Sequence, residues 1–328
     1  MMKRSISLVA LLAVAGALAP ATAAPVRLIF DTDMGNDIDD ALALAVIHAL
    51  ESRGEAKLLA VTLTKDNRHA APYCDIVNHF YGRGTIPVGV VRNGRTPEDA
   101  PMIQAPVERK PPYPRKLMDY KQAPEAVGLI RRVLEGERDG SVVIVQVGFS
   151  TNLRRLLESP GGPELVRRKV RLLSVMGGDF ATSKPEYNIR IDVESASKLI
   201  QDWPTPVVFS GFEIGEAILY PAVSIERDFG YVERHPVVDA YRAYKKMPYD
   251  RQTWDLTAVL YAVRPDRNYF GLSVAGRVRV EKDGRTVHVP GAGGPHRYLI
   301  VDQSQRVKTQ EALVQLASQP PQQAAVSR

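Results

Sequence analysis

Five aspartates fall within ten residues near the start of the chain, at Asp31, Asp33, Asp37, Asp39 and Asp40. A largely apolar run at 26–30 precedes this cluster, and a helical pattern at 41–50 follows it. The carboxylates therefore lie at the carboxyl end of a predicted strand, where open α/β sheets bind their ligands. Converging carboxylates stay ionised only if a cation compensates them. Oxygen ligands alone favour a hard ion, Ca²⁺ or Mg²⁺.

The same residue types also occur at ordinary helix starts and turns. Asp and Asn are favoured N-caps, acidic residues suit a first helical turn, and Gly35 suits a tight turn. Those roles explain two or three members of the cluster. Five aspartates on one strand-to-helix turn exceed what capping requires. We therefore interpret the cluster as a metal or substrate site rather than a solvated acidic loop.

Polar groups also follow later strands of the pattern. Each has a structural explanation as a turn glycine or a helix cap, but their common position at strand ends predicts that they meet in one site. These groups are 148–152 after a strand at 142–147, 177–179 after a strand at 171–176, Glu186 and Asn188 in the next loop, and Asp255 at a helix start.

Short apolar runs alternate with helical patterns along the chain, which predicts an open, mostly parallel (mixed) α/β sheet with helices on both faces. Residues 274–290 read as a C-terminal β-hairpin around Lys282-Asp283-Gly284. The proline-rich residues 92–122 are predicted to form a long excursion over the site. The predicted strands are 26–31, 57–63, 86–91, 142–147, 171–176 and 206–210, and the predicted helices are 39–53, 70–82, 123–137, 151–158, 193–202, 235–246 and 254–263.

The first 23 residues read as a secretory signal peptide, with Lys3 and Arg4 before an apolar stretch at 6–18 and small residues before the cut. We therefore expect a periplasmic or secreted protein. Residues 24–316 are predicted to form a single α/β domain, and the Gln-, Ala- and Pro-rich tail at 317–328 is predicted to be disordered. No later apolar run approaches the ~20 residues of a spanning helix, so we expect no membrane association after cleavage.

The composition of the chain limits the classes of partner that we expect it to bind. The chain has 43 Lys and Arg, 37 Asp and Glu, and a net charge of +6, but the basic residues are scattered. No basic stripe suits a nucleic acid, so we expect none as a partner. The single cysteine, Cys74, allows no internal disulfide and falls in a helical pattern that favours a buried structural thiol.

Together these motifs resemble the nucleoside hydrolase family, the calcium-dependent N-ribosyl hydrolases also called inosine-uridine preferring. The resemblance covers residues 26–265 and implies an enzyme of purine or pyrimidine salvage that hydrolyses the N-glycosidic bond of ribonucleosides to free base and ribose. It also implies an open α/β fold and a homo-oligomer. The matching pieces are Asp31-x-Asp33-x-Gly35…Asp39-Asp40, Gly148…Thr151-Asn152, Met176-Gly177-Gly178, Glu186-x-Asn188…Asp192 and Asp255.

The resemblance also assigns roles to individual residues. It implies a Ca²⁺ cofactor held by Asp33, Asp40, Asp255 and the main-chain carbonyl of Val147. Asp33 would also be the general base that activates a calcium-bound water. The implied substrate-binding residues are Asp39, Asn67, Glu186 and Asn188 at the ribose, while Asp31 would orient the metal ligands.

The sequence departs from the family pattern at several positions. Two extra residues separate Gly35 from the Asp39-Asp40 pair, and Phe180 stands where a ribose-binding Asn is common. Trp254 replaces the histidine that protonates the leaving base in many members, and we expect its ring to stack on the base instead. No histidine occurs between His79 and His235. Candidates for activating the leaving group are Tyr244, Tyr249, Asp250 and Arg251.

Two alternatives remain open from the residues. An exported nucleoside- or riboside-binding protein would keep the calcium and ribose site but lack turnover. A haloacid-dehalogenase-like phosphatase would use Asp31-x-Asp33 as nucleophile and acid with Mg²⁺, although it gives no reason for Asp39-Asp40 or for Glu186-x-Asn188. Hydrolysis of a nitrophenyl riboside distinguishes these cases, because neither alternative releases the phenol.

Overall fold

The computed structural model describes residues 24–322. The predicted signal peptide at 1–23 and the last part of the predicted tail, 323–328, lie outside the described residues, so both stay predictions. Between residues 24 and 322, no helix has the length and apolar character needed to cross a membrane.

A ten-stranded sheet organises the described residues, in the order β11-β10-β12-β6-β5-β4-β1-β2-β3 with β9 beside β12. Neighbours from β12 to β3 pair in parallel, whereas β9, β10 and β11 pair antiparallel. β7 and β8 form a separate antiparallel pair. The strands are β1 Val26–Thr32, β2 Ala56–Lys65, β3 Val88–Arg95, β4 Val142–Gln146, β5 Val170–Met176, β6 Val207–Ser210, β7 Leu219–Tyr220, β8 Arg251–Gln252, β9 Gly271–Leu272, β10 Gly276–Val280, β11 Thr286–Pro290 and β12 His296–Ile300.

Helices cover both faces of the sheet. Leu28 and Phe30 of β1 face one apolar core, and Ile29 between them faces the other, as the two-residue period of a strand requires. The arrangement confirms the predicted open, mostly parallel sheet with a C-terminal hairpin. The helices are α1 Asp39–Ser52, α2 Ala70–Phe80, α3 Pro101–Glu108, α4 Ala126–Gly136, α5 Thr151–Glu158, α6 Gly162–Lys169, α7 Tyr187–Ile191, α8 Val193–Asp202, α9 Phe212–Glu216, α10 Ala222–Arg227, α11 Pro236–Tyr244, α12 Trp254–Val263 and α13 Gln303–Ala317.

Two elements position the aspartate cluster. β1 lies between β2 and β4, so that Asp31 pairs with Thr62 on one side and Gln146 on the other. The chain then turns at Gly35, whose φ of +113° favours glycine and where a Cβ would lie 2.6 Å from Ile103 Cδ1 of α3. α1 begins at Asp39, and its residues 39–50 are buried. The turn therefore holds the carboxylates at the carboxyl edge of the central strand.

The structure contains elements that the sequence patterns did not predict. Residues 92–122 include the helix α3 and a short 3₁₀ helix at Tyr120–Gln122. β12 joins the sheet beside β6, and α13 packs against α1. Ala317, where the predicted tail starts, is buried at the end of α13. Beyond it, Gln319 accepts a hydrogen bond from Arg53 at 2.7 Å, and Gln322 donates to the carbonyl of Ser52 at 2.7 Å.

Candidate active site

A cavity of about 70 Å³ opens at the carboxyl edge of the sheet and contains most of the predicted site residues. A larger cavity of about 590 Å³ lies between α8 and the β10–β11 hairpin, but no carboxylate lines it. The smaller cavity is therefore the candidate active site. It is lined by Asp33, Asp37, Asp39, Val147, Met176, Glu186, Tyr187, Asn188, Phe212, Trp254 and Asp255.

Asp31 is buried and does not line the cavity, but its hydrogen bonds hold neighbouring elements together. Its Oδ1 accepts hydrogen bonds from Thr62 Oγ1 at 2.6 Å and from Asn152 Nδ2 at 2.9 Å, while its main-chain oxygen accepts from the Val147 amide at 2.7 Å. Burial raises the pKa of Asp31 to about 7. These contacts join β1 to β2, β4 and α5, so Asp31 fixes the shape of the edge from which the other carboxylates project.

Three carboxylates converge closely enough to share a cation. One oxygen each from Asp37, Asp40 and Asp255 lies within 4.8 Å of the other two. Asp40 accepts a hydrogen bond from the Thr32 hydroxyl through Oδ1, but its Oδ2 and the Oδ2 of Asp255 are buried without a hydrogen-bond partner among residues 24–322. Burial and the neighbouring aspartates raise the pKa of Asp40 and of Asp255 well above the ordinary value.

This donor set fits a hard divalent cation. A buried carboxylate oxygen without a partner is costly, and a cation would compensate both the missing partners and the mutual repulsion. All the donors are oxygen atoms, as Ca²⁺ and Mg²⁺ prefer. Asp40 and Asp255 were predicted as ligands from the sequence, whereas Asp37 was not.

Asp33 lines the cavity beside this trio. Its Oδ2 accepts a hydrogen bond from Asn36 Nδ2 at 2.6 Å, and Asn36 Oδ1 accepts one from Lys65 Nζ at 2.9 Å. Burial raises the pKa of Asp33 to about 6. Burial thus moves the pKa of Asp33 towards neutrality, as suits a group that accepts a proton.

Arg251 is buried among the acids and is paired with two of them. Its Nη2 lies 2.7 Å from Asp39 Oδ1 and 2.6 Å from Asp37 Oδ2, and its Nε donates to Asp39 Oδ1 at 3.1 Å. The guanidinium carbon lies 4.9 Å from the centre of the Trp254 ring and 5.3 Å from that of Tyr244. Arg251 therefore neutralises part of the cluster and is held in place by aromatic rings.

The other residues proposed to activate the leaving base are engaged in contacts within the fold. Tyr249 donates from its hydroxyl to the carbonyl of Tyr241 at 2.6 Å, and Asp250 accepts from the amide of Ala222 at 2.8 Å. Neither lines the cavity. Tyr244 also lies outside the lining, with its hydroxyl 3.5 Å from Arg251 Nη1.

Glu186 and Asn188, from the start of α7, also line the cavity. Glu186 caps α7 and accepts hydrogen bonds from the amides of Asn188 at 2.9 Å, Ile189 at 3.2 Å and Gly178 at 3.2 Å. Burial raises the pKa of Glu186 to about 7. Asn188 donates from Nδ2 to the main-chain oxygen of Val147 at 2.7 Å. The carbonyl predicted as a metal ligand thus touches a residue predicted to bind ribose.

Aromatic rings form the mouth of the cavity. Trp254 is half-buried, donates from Nε1 to the carbonyl of Phe212 at 2.9 Å, and lies with its ring 5.2 Å from that of Phe212. Tyr187 is 42% exposed and Phe212 is 38% exposed, which leaves apolar surface available to a planar ligand. Sequence reasoning missed Tyr187 and Phe212, although Tyr187 lies between the predicted Glu186 and Asn188.

Two positions singled out in the sequence lie apart from the cavity. Asn67 does not line it, since its Nδ2 donates to the carbonyls of Pro97 and Glu98 at 3.3 and 2.8 Å. Phe180 instead stacks on Tyr298, with ring centres 4.5 Å apart. Asn67 therefore anchors the loop that follows β3 in this structure.

Comparisons with known proteins agree with the motifs. The family model described as inosine-uridine preferring nucleoside hydrolase matches residues 28–324. A plant nucleoside hydrolase is similar in structure, with 22% identity, a TM-score of 0.67, and coverage of 90% of this chain and 100% of that one. An inosine-uridine preferring nucleoside hydrolase from Bacillus anthracis has 17% identity and a TM-score of 0.69, covering 89% and 99%.

A third similar structure is the type III effector protein XopQ complexed with adenosine diphosphate ribose. It has 15% identity and a TM-score of 0.63, with coverage of 90% of this chain and 94% of that one. At these identities the similar structures establish the fold alone. No curated protein matches the chain.

Proposed function

The chain belongs to the inosine-uridine preferring nucleoside hydrolase family, and from that premise we propose that it hydrolyses the N-glycosidic bond of ribonucleosides to free base and ribose. The observation that carries the proposal is that a three-carboxylate cation site, a carboxylate base and two ribose-type ligands lie in or directly beside one cavity. The cation site comprises Asp37, Asp40 and Asp255, the base is Asp33, and the ribose-type ligands are Glu186 and Asn188.

The reaction adds water to the anomeric carbon as the bond from that carbon to the base breaks. Asp33 accepts the proton that the water loses, and the base leaves with the electron pair of the broken bond. The surrounding carboxylates stabilise the positive charge that develops on the sugar. We propose Ca²⁺ as the cation, which when bound would lower the pKa of the attacking water.

The ribose is proposed to bind through Glu186, Asn188 and Asp39. Asn188 and Glu186 are 7% and 5% exposed, so hydrogen bonds to sugar hydroxyls would form in a largely dry environment. Asp39 lines the cavity while Arg251 holds its Oδ1. Fixing these groups before substrate arrives reduces the entropy cost of reaching the reactive geometry.

The base is proposed to stack at the aromatic mouth, on Trp254 with Phe212 and Tyr187 beside it. No histidine is among the residues that line the cavity. Because no histidine offers a proton to the departing base there, we expect bases or phenols that leave readily as anions to react fastest.

A second candidate function is binding of a ribose-containing ligand without turnover. It is favoured by the absence of a histidine from the cavity lining and by the similar XopQ structure, which is complexed with adenosine diphosphate ribose. The phosphatase alternative has little support, because the Asp31 carboxylate is fully buried and bonded to Thr62 and Asn152. Export to the periplasm or medium and homo-oligomer formation remain proposals.

The test is a chromatographic screen of nucleosides and nitrophenyl riboside, with calcium and with EDTA. The hydrolase proposal expects ribose release with calcium and none with EDTA. Ligand binding without any ribose release would favour the second candidate.

A further inference from the structure

Asp37 lies in the turn between Gly35 and the Asp39-Asp40 pair. One Asp37 oxygen lies within 4.8 Å of oxygens from Asp40 and Asp255. Asp37 is also the most accessible member of this trio, with a side chain 33% exposed, whereas the other two are buried. Asp37 therefore adds a carboxylate on the solvent side of the candidate cation site.

Buried, unpartnered oxygens support a ligand at this place independently of the acidic cluster itself. Asp40 is 0% exposed and Asp255 is 4% exposed, and in the described part of the chain no donor reaches the Oδ2 of either residue. A folded protein rarely leaves such atoms unsatisfied. An ion between them would satisfy both.

Arg251 already holds Asp37 from the other side. Its Nη2 lies 2.6 Å from Asp37 Oδ2, and the side chain of Arg251 is only 10% exposed. The guanidinium cannot swing freely to solvent, because the rings of Trp254 and Tyr244 flank it at 4.9 and 5.3 Å. The other nearby cation, Lys65, is engaged by Asn36 and by the carbonyl of Thr96.

We infer that Asp37 is shared between the cation and Arg251, and that Arg251 sets the affinity of the cation site. The inference rests on the proposed function, since it concerns the same cation. Arg251 supplies a fixed positive charge that pairs with Asp37 and Asp39 when no cation is bound. An arriving cation competes with this charge for Asp37 and is repelled by it, so Arg251 weakens cation binding.

Calcium titration calorimetry on the purified protein at neutral pH tests this arrangement without substrate. Asp37→Asn should weaken calcium binding about tenfold or more, since calcium affinity follows the number of ligand charges. Arg251→Met should tighten it about tenfold, because the competing charge is removed. Arg251→Lys keeps the charge and should stay much closer to the wild type than Arg251→Met.

Asp99→Asn is the matched control. Asp99 is exposed near Asn36, beside the site but outside the trio, so its replacement changes the same formal charge and should leave calcium affinity unchanged. Circular dichroism of each variant without calcium verifies the fold before titration.

Wild-type affinity in Asp37→Asn, or weaker binding in Arg251→Met, would overturn the inference, as would a wild-type protein that binds no calcium. Hydrolysis of nitrophenyl riboside by the wild type is measured in parallel. If the riboside is cleaved while the variants bind calcium like the wild type, the inference fails and the proposed function stands. If calcium affinities change as expected but no riboside is cleaved, the inference stands and the proposed function fails.

Discussion

Asn188 donates a hydrogen bond from Nδ2 to the main-chain oxygen of Val147 at 2.7 Å. This bond joins α7 to the residue after β4 and connects the proposed ribose side of the cavity to the proposed cation side. Asn188 N–H also donates to Glu186 Oε1 at 2.9 Å. Asn188 thus contacts both halves of the site, Val147 through its side-chain amide and Glu186 through its main-chain amide.

Asn188→Ala should therefore lower kcat/KM for nitrophenyl riboside by about 10- to 100-fold, as expected for loss of one or two buried hydrogen bonds. Steady-state kinetics measures the change, with thermal unfolding as a check of the fold. An unchanged kcat/KM in a folded variant would show that Asn188 does not contact the sugar.

Asp255→Asn should stabilise the metal-free protein and weaken its binding of calcium. Its carboxylate is buried among like charges, and removing that charge relieves repulsion in the protein without metal. Thermal unfolding in EDTA should occur at a higher midpoint than in the wild type, while the added stabilisation by calcium should be lost. Asp99→Asn provides the control with the same change of charge. A full calcium-induced shift in Asp255→Asn would contradict its role as a ligand.

Trp254→Ala should weaken substrate binding more than it slows chemistry, because the ring offers a stacking surface and no titratable proton. We expect a raised KM with a smaller change in kcat for nitrophenyl riboside.

In the wild type, nitrophenyl riboside should be cleaved faster than inosine by roughly 10²–10⁴-fold, the usual contribution of a general acid. Equal rates would indicate that the site supplies a general acid.

His235 should make the fold sensitive to acid. Burial lowers the pKa of His235 to about 3, whereas the ordinary value is 6.5. Between those values only the unfolded chain binds the proton, so the stability contributed by neutral His235 is present above pH 6.5 and is lost as pH falls towards 3. Its Nδ1 accepts from the Val237 amide at 3.2 Å, a cap that asparagine can replace.

Urea unfolding of the wild type and His235→Asn at pH 7.5 and pH 5 measures this contribution. The wild type should lose about 2 kcal/mol more free energy of unfolding than the variant over that interval. Comparison with the variant removes the opposing contribution of the site carboxylates, whose raised pKa values favour the folded state as pH falls. Equal losses would show that His235 is accessible to protons in the folded protein.

The sequence predicted the central part of the fold because its signals are local. The apolar run at 26–31 became β1 at Val26–Thr32, and the cluster lies at its end as expected. β12 was missed because His296, Arg297 and Tyr298 carry no apolar alternation, and this strand forms through pairing with the distant β6. α13 was missed because its buried positions, such as Thr309 and Gln305, include polar residues.

The sequence predicted which residues belong to the candidate site better than it predicted how they are arranged. Composition and motif order located Asp33, Asp40 and Asp255, but the path of the turn after β1 decides that Asp37 joins the closest trio. The pairing of Arg251 with Asp39 joins residues 212 positions apart, which no local pattern encodes. Asn67 fits a ribose ligand by sequence, yet the loop carbonyls of Pro97 and Glu98 hold its amide.

The most direct test of the account is chromatographic detection of ribose released from nitrophenyl riboside and from a panel of nucleosides, by the wild type and by Asp33→Asn. With calcium present, the wild type should release ribose, EDTA should abolish the release, and Asp33→Asn should be slower by about 10²-fold or more because it cannot accept the proton. Absence of ribose from every substrate, or equal release by Asp33→Asn, would contradict the proposal that this cavity hydrolyses N-ribosidic bonds.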